Sequence, residues 1–541
     1  MGPVCRWLVL AAAPVWAQLP TCQVAMWNSC DLVFPLEAGE DAARAALRAE
    51  FRSPHRDSKA IHAFREGQSL VLRFSPDEAG DWDYRITSSL RRLDQQIGKV
   101  TGLASDAPGF VRVINVHHFQ TANLQPHLWM ATALDRFTVA PRAEFDALVA
   151  SRAAEKFTHL RVTIDPGTDM PAAAERIRTI NARGLVADIV LGSLPENRAD
   201  RDRFITEMVA RFTAFNITWA GVPAFERLAN ARITLRDAGE LIEKLDGYKH
   251  PRTTLAEGTS SSLLDDRWMH FLSYGTPDPN IGAVEHQFYR VPAVNTGIRS
   301  RADLWNATMN GHYPASGSGP EFKAWFEFMS ASRYWEFEPY FDLDGGRALA
   351  LDGVEYIVYV EKPGPVEVVV EDHGYDVLWM NPANGERVVA KGYKGKRYTG
   401  EPPDNRHDWV LRISREGTKE GMLRSYKFES RRVPVQEVET NPTRVPFEVQ
   451  EPAGDVSVRI PPPFILKITR PTRATRELLV LWTAESAAAE GARIVGTGEK
   501  GMLRLSEASI TRVPGVLSVR VMILNANGKA YEVDRAFRLA P

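Results

Sequence analysis

Residues Asn216–Glu226 read NITWAGVPAFE. β-Branched and aromatic residues fill the first half, Gly221 and Pro223 break the run, and Glu226 closes it. Residues of the first kind favour extended backbone, and Gly and Pro end it. The stretch therefore predicts a buried strand whose C-terminal turn delivers a carboxylate. ITLRDAGELIEKLDG follows at 233–247, with apolar residues at helical spacing. A strand followed by a helix is the repeating unit of a parallel α/β sheet.

The same alternation extends on both sides, from residue 123 to 340. Helical patterns occupy RAEFDALVASRAAEKF, MPAAAERIRTINARG and DRDRFITEMVARFTAF. Strand-like runs separate them: HLWMAT, THLRVTI, LVADIVLG, RTTLA, WMHFLSYG, VPAVNTG and the segment around NGHYPAS. Eight strand–helix units of this length predict a (β/α)8 TIM-type barrel. A doubly wound open sheet is the alternative, but no glycine-rich phosphate turn follows the first strand.

The flanks have a different texture. Residues 18–122 are short β-rich runs such as SLVLRFSP and DWDYRITSS, separated by Pro, Gly, Asp and Ser, and predict an Ig-like β-sandwich. Residues 341–415 predict a second β-sandwich, and 416–541 a C-terminal β-rich domain with a hairpin turn at Asn527-Gly528. A chain of 541 residues exceeds what one core can hold.

Composition narrows the partners. Lys plus Arg (66) and Asp plus Glu (68) leave a net charge of −2, without the basic excess that nucleic acid or an anionic membrane surface requires. The N-terminus, MGPVCRWLVLAAAPVWAQLP, places Arg6 before a short apolar run ending in Val15-Trp16-Ala17. That pattern predicts a signal peptide, residues 1–17, cleaved near Ala17, and a secreted, periplasmic or cell-surface protein with no membrane span. Cys22 and Cys30 remain after cleavage and are close enough in sequence to form a small staple.

Several motifs carry no chemistry. GTGEKG at Gly496–Gly501 lacks the following helix of a dinucleotide site. DLDGG at Asp342–Gly346 lacks the glutamate that a calcium loop needs twelve positions from its start. The histidines show no paired metal spacing, and the neighbours His117 and His118 on a strand would point to opposite faces. No metal and no cofactor is expected.

In a barrel of this kind catalytic groups stand at the C-terminal ends of strands. Glycoside hydrolysis uses two carboxylates across the scissile bond. Glu226 follows the fourth strand and is the candidate acid/base; Asp165 follows the second, and Glu285 precedes the seventh, as weaker substitutes for its partner. Trp219, Trp305, His312 and Tyr313, with Asn295, are candidates to line a sugar site, since pyranose faces stack on aromatic rings.

Ordered motifs along most of the chain resemble bacterial secreted glycoside-hydrolase-like proteins of the apiosidase-like barrel group. The N-terminal match is LRFSPDEAGDWDY, with Arg73, Phe74, Pro76, Gly80, Trp82 and Tyr84. KFTHLRV, NITWAGVPAFE, LDGYKHPRTT and LWNATMNGHYPA resemble barrel segments of that group, and GVEYIVYV, LWMNPANGE and HDWVL resemble its C-terminal β-domain, named for collagen binding. The resemblance implies polysaccharide or oligosaccharide as partner and an acid/base role for Glu226. It also implies a nucleophilic glutamate in a V-N-x-E context, where this chain reads Val294-Asn295-Thr296-Gly297. A histidine expected after the fifth strand is Leu255. Two functions follow: a glycosidase relying on Glu226, or a non-catalytic carbohydrate-binding or adhesion protein on a degenerate barrel.

Overall fold

A computed structural model describes residues 19–114, 116–228, 230–276 and 279–417, with separate short stretches between 438 and 540. Residues 1–17, the expected signal peptide, lie outside the described residues. The chain forms two compact units, divided after Asp106.

The first unit contains β1 (Cys22–Ala25), β2 (Cys30–Pro35), β3 (Leu47–Arg52), β4 (Ser58–His62), β5 (Phe64–Glu66), β6 (Ser69–Phe74), β7 (Gly80–Ser88) and β8 (Ile97–Leu103). They make a five-stranded sheet, β1-β8-β7-β3-β4, and a three-stranded sheet, β2-β6-β5. Strict alternation of buried and exposed residues in β3 and β7 turns one side of the larger sheet inward. The sheets meet where Phe51 stacks on Phe74 at 3.9 Å, with the Trp82 ring edge-on to Phe74. Arg73 is buried and bonds Asp31 through two nitrogens at 2.7 and 2.8 Å. The Arg, Phe and Trp of the LRFSPDEAGDWDY motif are thus core and its internal counter-charge. Cys22 and Cys30 are joined in a disulfide.

The second unit opens with a hairpin, β9 (Val111–Ile114) and β10 (His118–Thr121), read from the sequence as the end of the first domain. Eight strands follow: β11 (Ala131–Ala133), β12 (His159–Ile164), β13 (Val186–Leu191), β14 (Ile217–Ala220), β15 (Arg252–Thr253), β16 (Leu272–Tyr274), β17 (Ala293–Asn295) and β18 (Tyr313–Pro314). Seven lie within the expected runs, and β11 overlaps the end of HLWMAT and extends one residue past it. All pairings are parallel, in sheets of five (β11–β15) and three (β16–β18). Helices α1 (Arg142–Ala154), α2 (Met170–Ala182), α3 (Arg198–Phe212), α4 (Ala231–Leu245), α5 (Pro279–Phe288), α6 (Arg301–Met309) and α7 (Pro320–Met329) connect or follow the strands. Side-chain caps start three of them: Asp169 accepts from the Ala172 amide, Asn197 from those of Ala199 and Asp200, and Ser300 from that of Asp303.

Parity along the strands decides which side each residue takes. Leu160, Val162, Ile164, Ala187, Ile189, Leu191, Ile217 and Trp219 share one apolar cluster with Val149, Ile177, Ile205, Val209 and Ile242 of the helices. The intervening positions face the other way, including the short cluster of Val190, Ala220 and Leu255.

Strands from Glu338 to Arg415 form one further sheet. It is fastened to the helices by Arg301, which grips Asp408 at 2.5–3.1 Å, and by Arg412, which donates to the Phe328 carbonyl at 2.6 Å. Tyr359 also donates to Asp408. The aspartate of the HDWVL motif is therefore a docking residue. Of the segment beyond 416, Gly515–Leu524 and Ala530–Ala540 pair antiparallel, and the expected Asn527-Gly528 turn between them lies outside the described residues.

Candidate functional site

The carboxyl ends of the parallel strands gather the polar residues on the side away from the helices. At their base, Arg161, Asp188 and Thr218 occupy one register row on β12, β13 and β14. The Arg161 guanidinium lies 2.8 Å from Asp188 Oδ2, the Thr218 hydroxyl donates to Oδ1 at 2.8 Å, and Arg161 Nη1 donates to the Ala315 carbonyl at 3.0 Å. Asp188 is only 1% exposed, so its charge is tolerable because these donors replace water. Asp188 is thus an anchor of the inner row.

One row nearer the carboxyl end, Thr163 is exposed although its neighbours Val162 and Ile164 are buried. That exposure marks an open mouth. Asp165 stands beside it, half-buried, and accepts a hydrogen bond from Ser193 at 3.0 Å. Gly192 makes this possible, since a Cβ there would lie 2.5 Å from Asp165 Oδ1.

Glu226 also reaches this end. After β14 the chain turns through Ala224, held in the left-handed region at φ 49°, into a short 3₁₀ turn at Phe225–Arg227. Phe225 is buried in the helix-side cluster and anchors the turn. The Glu226 carboxylate accepts from the amide of Glu257 at 3.0 Å to both oxygens, and from that of Gly258 at 3.0 Å. Arg227 pairs with the Glu257 side chain. Glu226 therefore clamps the loop after β15 to the loop after β14, with two backbone N–H groups taking up part of its accepting capacity. Glu257, which no sequence pattern singled out, belongs to the same mouth.

The strand-seven position expected for a nucleophile has no room for one. A Cβ on Gly297 would lie 2.6 Å from the Gly275 carbonyl oxygen and 3.2 Å from that of Thr276. The Gly297 amide is held by Asn295 Oδ1 at 2.8 Å, so Asn295 shapes this turn.

The remaining expected site residues sit elsewhere. Glu285 is fully buried on α5 and accepts from the Thr259 and Ser261 hydroxyls, both at 2.6 Å. It supports the loop after β15 from behind. Burial, reinforced by the Glu285 charge, pushes the Tyr274 phenol well up. Trp219 lies on the helix side, 2% exposed, and donates to Asp246 Oδ2 at 3.0 Å. Trp305 is fully buried between Phe328 and Tyr359. His312 and Tyr313 lie at the amino start of β18, where Tyr313 shares a 2.7 Å hydrogen bond with His118 Nδ1. Strand parity puts Trp219, strand direction His312 and Tyr313, and the inward face of α6 Trp305 away from the mouth. The apolar cavity bounded by Leu191, Trp219, Leu235, Ala238 and Trp268 is likewise on the helix side.

Beneath Trp219, Asp246 is a buried hub. It takes Thr213 Oγ1 at 2.5 Å, His250 Nδ1 at 3.0–3.1 Å and the amides of Tyr248 and His250. Burial alone would raise its pKa, but His250 and these donors outweigh it and hold the carboxyl well below the usual range. The LDGYKHPRTT motif is thus accounted for by folding. Among the described residues, three metal-ligating side chains meet at His117, His286 and Glu338, and not at the mouth.

No family model matches the chain, and no curated protein matches it. Solved structures do. A protein of Bacteroides vulgatus assigned as a glycoside hydrolase is similar over 73% of this chain and 99% of its own, with TM-score 0.64 and 15% identity. A second structure, described as a glycoside hydrolase, is similar over 57% of this chain and 97% of its own, with TM-score 0.50 and 14% identity. At these identities the likeness is one of fold. The chain is a multidomain protein with a glycoside-hydrolase-like fold, and among the described residues no helix is long and apolar enough to cross a membrane.

Proposed function

We propose that the chain is an exported carbohydrate-binding protein on a (β/α)8 barrel of glycoside-hydrolase type, which holds glycan at the carboxyl ends of β11–β18 without double-displacement chemistry. The observation that carries this reading is Gly297: the turn between β17 and α6 is packed so tightly on Gly275 that no side chain fits where a nucleophile is required. Support for closure comes from the His270 amide, which donates to the Arg252 carbonyl at 2.8 Å between the two sheets. Arg161 spans from β12 to the end of β18 in the same sense. The glycan would meet Thr163, Asp165, Ser193 and the Glu226–Gly258 clamp. Export follows from the N-terminal pattern, with the apiosidase-like group as the relation the motifs favour.

One observation favours hydrolysis instead. Asp165 and Glu226 both follow the carboxyl ends of parallel strands, β12 and β14, and a pair of carboxylates there would serve water attack with inversion if they face one another across the substrate. The deciding experiment is a panel of polysaccharides and aryl glycosides with wild type and Glu226→Gln. Saturable binding to a polysaccharide without turnover is expected. Turnover that disappears in Glu226→Gln would overturn the binding reading.

A further inference from the structure

At the amino ends of the strands, opposite the candidate mouth, a second constellation is built from distant parts of the chain. His117 lies in the β9–β10 turn, His286 near the C-terminus of α5, and Glu338 opens the strand Glu338–Tyr340. One ligand atom from each lies within 4.8 Å of the others. The His117 and His286 side chains are 7% and 3% exposed, and Glu338 is 30% exposed, leaving one route to solvent.

The hydrogen bonds of His117 orient its ring toward the other two ligand atoms. Its Nε2 lies 2.9 Å from the carbonyl oxygen of Tyr289, which can only accept, so Nε2 carries hydrogen. In the neutral ring Nδ1 is then a lone pair, yet it faces both Glu338 oxygens at 3.2 Å. That contact is satisfied either by a second proton on the ring, which makes it an ion pair with Glu338, or by a metal cation held between the two groups. A backbone carbonyl holding the far nitrogen is also how metal-ligating histidines are oriented. The 3.2 Å separation is close to the roughly 3.3 Å edge of a tetrahedron with metal–ligand bonds of about 2.0–2.1 Å. His286 Nε2, now 2.5 Å from Glu338 Oε2, needs to open by less than about 1 Å to reach that edge.

The surroundings are shaped for imidazole. Gly311, at φ +77°, lies where a Cβ would be 2.6 Å from His286 Cε1, and a Cβ on Gly282 would be 2.2 Å from His312 Cε1. His312 is buried beside this group, stacked on Tyr274 at 4.1 Å, with neither ring nitrogen hydrogen-bonded. Unpartnered buried imidazole nitrogens are costly, and a neighbouring hydrated cation would supply water to bond them.

We infer that His117, His286 and Glu338 form a binding site for a divalent first-row cation of the zinc type, with an open coordination position for water. Two imidazoles and a carboxylate are the donor set such an ion prefers. The ion would tie the hairpin β9–β10, helix α5 and the sheet that begins at Glu338, segments 221 and 52 residues apart in sequence. At the amino ends of a parallel barrel, such a group acts on stability.

The test uses the full untagged chain, stripped with chelator and passed through gel filtration after exposure to Zn²⁺ or Co²⁺. One equivalent of zinc by elemental analysis is expected, with a cobalt visible spectrum of nitrogen–oxygen ligation. Zinc should raise the thermal midpoint by about 5–10 °C, and chelator should reverse it. His117→Gln and Glu338→Gln should each weaken uptake by roughly 10–100-fold or more, whereas His312→Gln should still take up one equivalent. A wild type that takes up neither ion overturns the site, even if the variants fail to fold. So does uptake unchanged in both the His117 and Glu338 variants, which would place the ion elsewhere.

Discussion

Removing the charge of Asp188 is the sharpest test of the inner row. Asp188 is 1% exposed and the Arg161 side chain 11%, with 2.8 Å between guanidinium and carboxylate. Asp188→Asn leaves the Arg161 charge without its counter-ion, and Thr218 and the Ala315 carbonyl cannot replace it. Breaking a buried pair from one side costs about 3–5 kcal/mol. For a unit of this size, about 2 °C is lost per kcal/mol, so the thermal midpoint should fall by roughly 6–10 °C. Replacing both partners by apolar residues, Arg161→Met with Asp188→Leu, should recover at least about half of that loss, because neither charge is then stranded. The remaining deficit belongs to Thr218, left without an acceptor, at about 1–3 kcal/mol. The assay is denaturant unfolding of Asp188→Asn, and of Arg161→Met, Asp188→Leu and their double, the last three read as a cycle. A cost below about 1 kcal/mol for Asp188→Asn, or a double variant as unstable as the sum of the singles, would refute the pairing.

Two further outcomes follow from the same geometry. Burial holds His127 down to about 4, and burial with the Arg252 charge holds His270 down to about 4. Since the unfolded rings titrate near 6.5, the stability these neutral rings carry is complete above that pH and is lost as pH falls toward 4. Each ring contributes a slope of at most about 1.4 kcal/mol per pH unit, and His127→Gln should flatten the curve between pH 4 and 6.5 in equilibrium unfolding. At Gly297, substitution by Glu should cost about 1–3 kcal/mol in the same assay, because the Gly275–Thr276 backbone must move, and should bring no aryl-glycoside turnover. Turnover gained with stability retained would show that the turn has room for a nucleophile after all.

Much of this protein is determined by local sequence. β-Branched runs bounded by Gly and Pro, alternating with helical periodicity, are enough to place all eight parallel strands and the helices α1–α4 between them. The alternation in DWDYRITSS likewise marks β7, with Trp82 and Tyr84 inward. Gly297 is legible too, as a missing carboxylate, although only the packing on Gly275 shows that the position is closed. What local sequence cannot determine is which side of a strand its odd and even residues take. NITWAGVPAFE has the same period whether Thr218 or Trp219 faces the helices, and the partners Asp188 and Asp246 that decide it lie 30 and 27 residues away. The role of Glu226 depends on backbone amides 31 and 32 residues along, and the meeting of His117, His286 and Glu338 spans 221 residues. Such contacts are set by strand register and chain crossing, quantities that exist only once the sheets are assembled. Local sequence places Glu226 at a strand end; tertiary structure makes it the clamp between two loops.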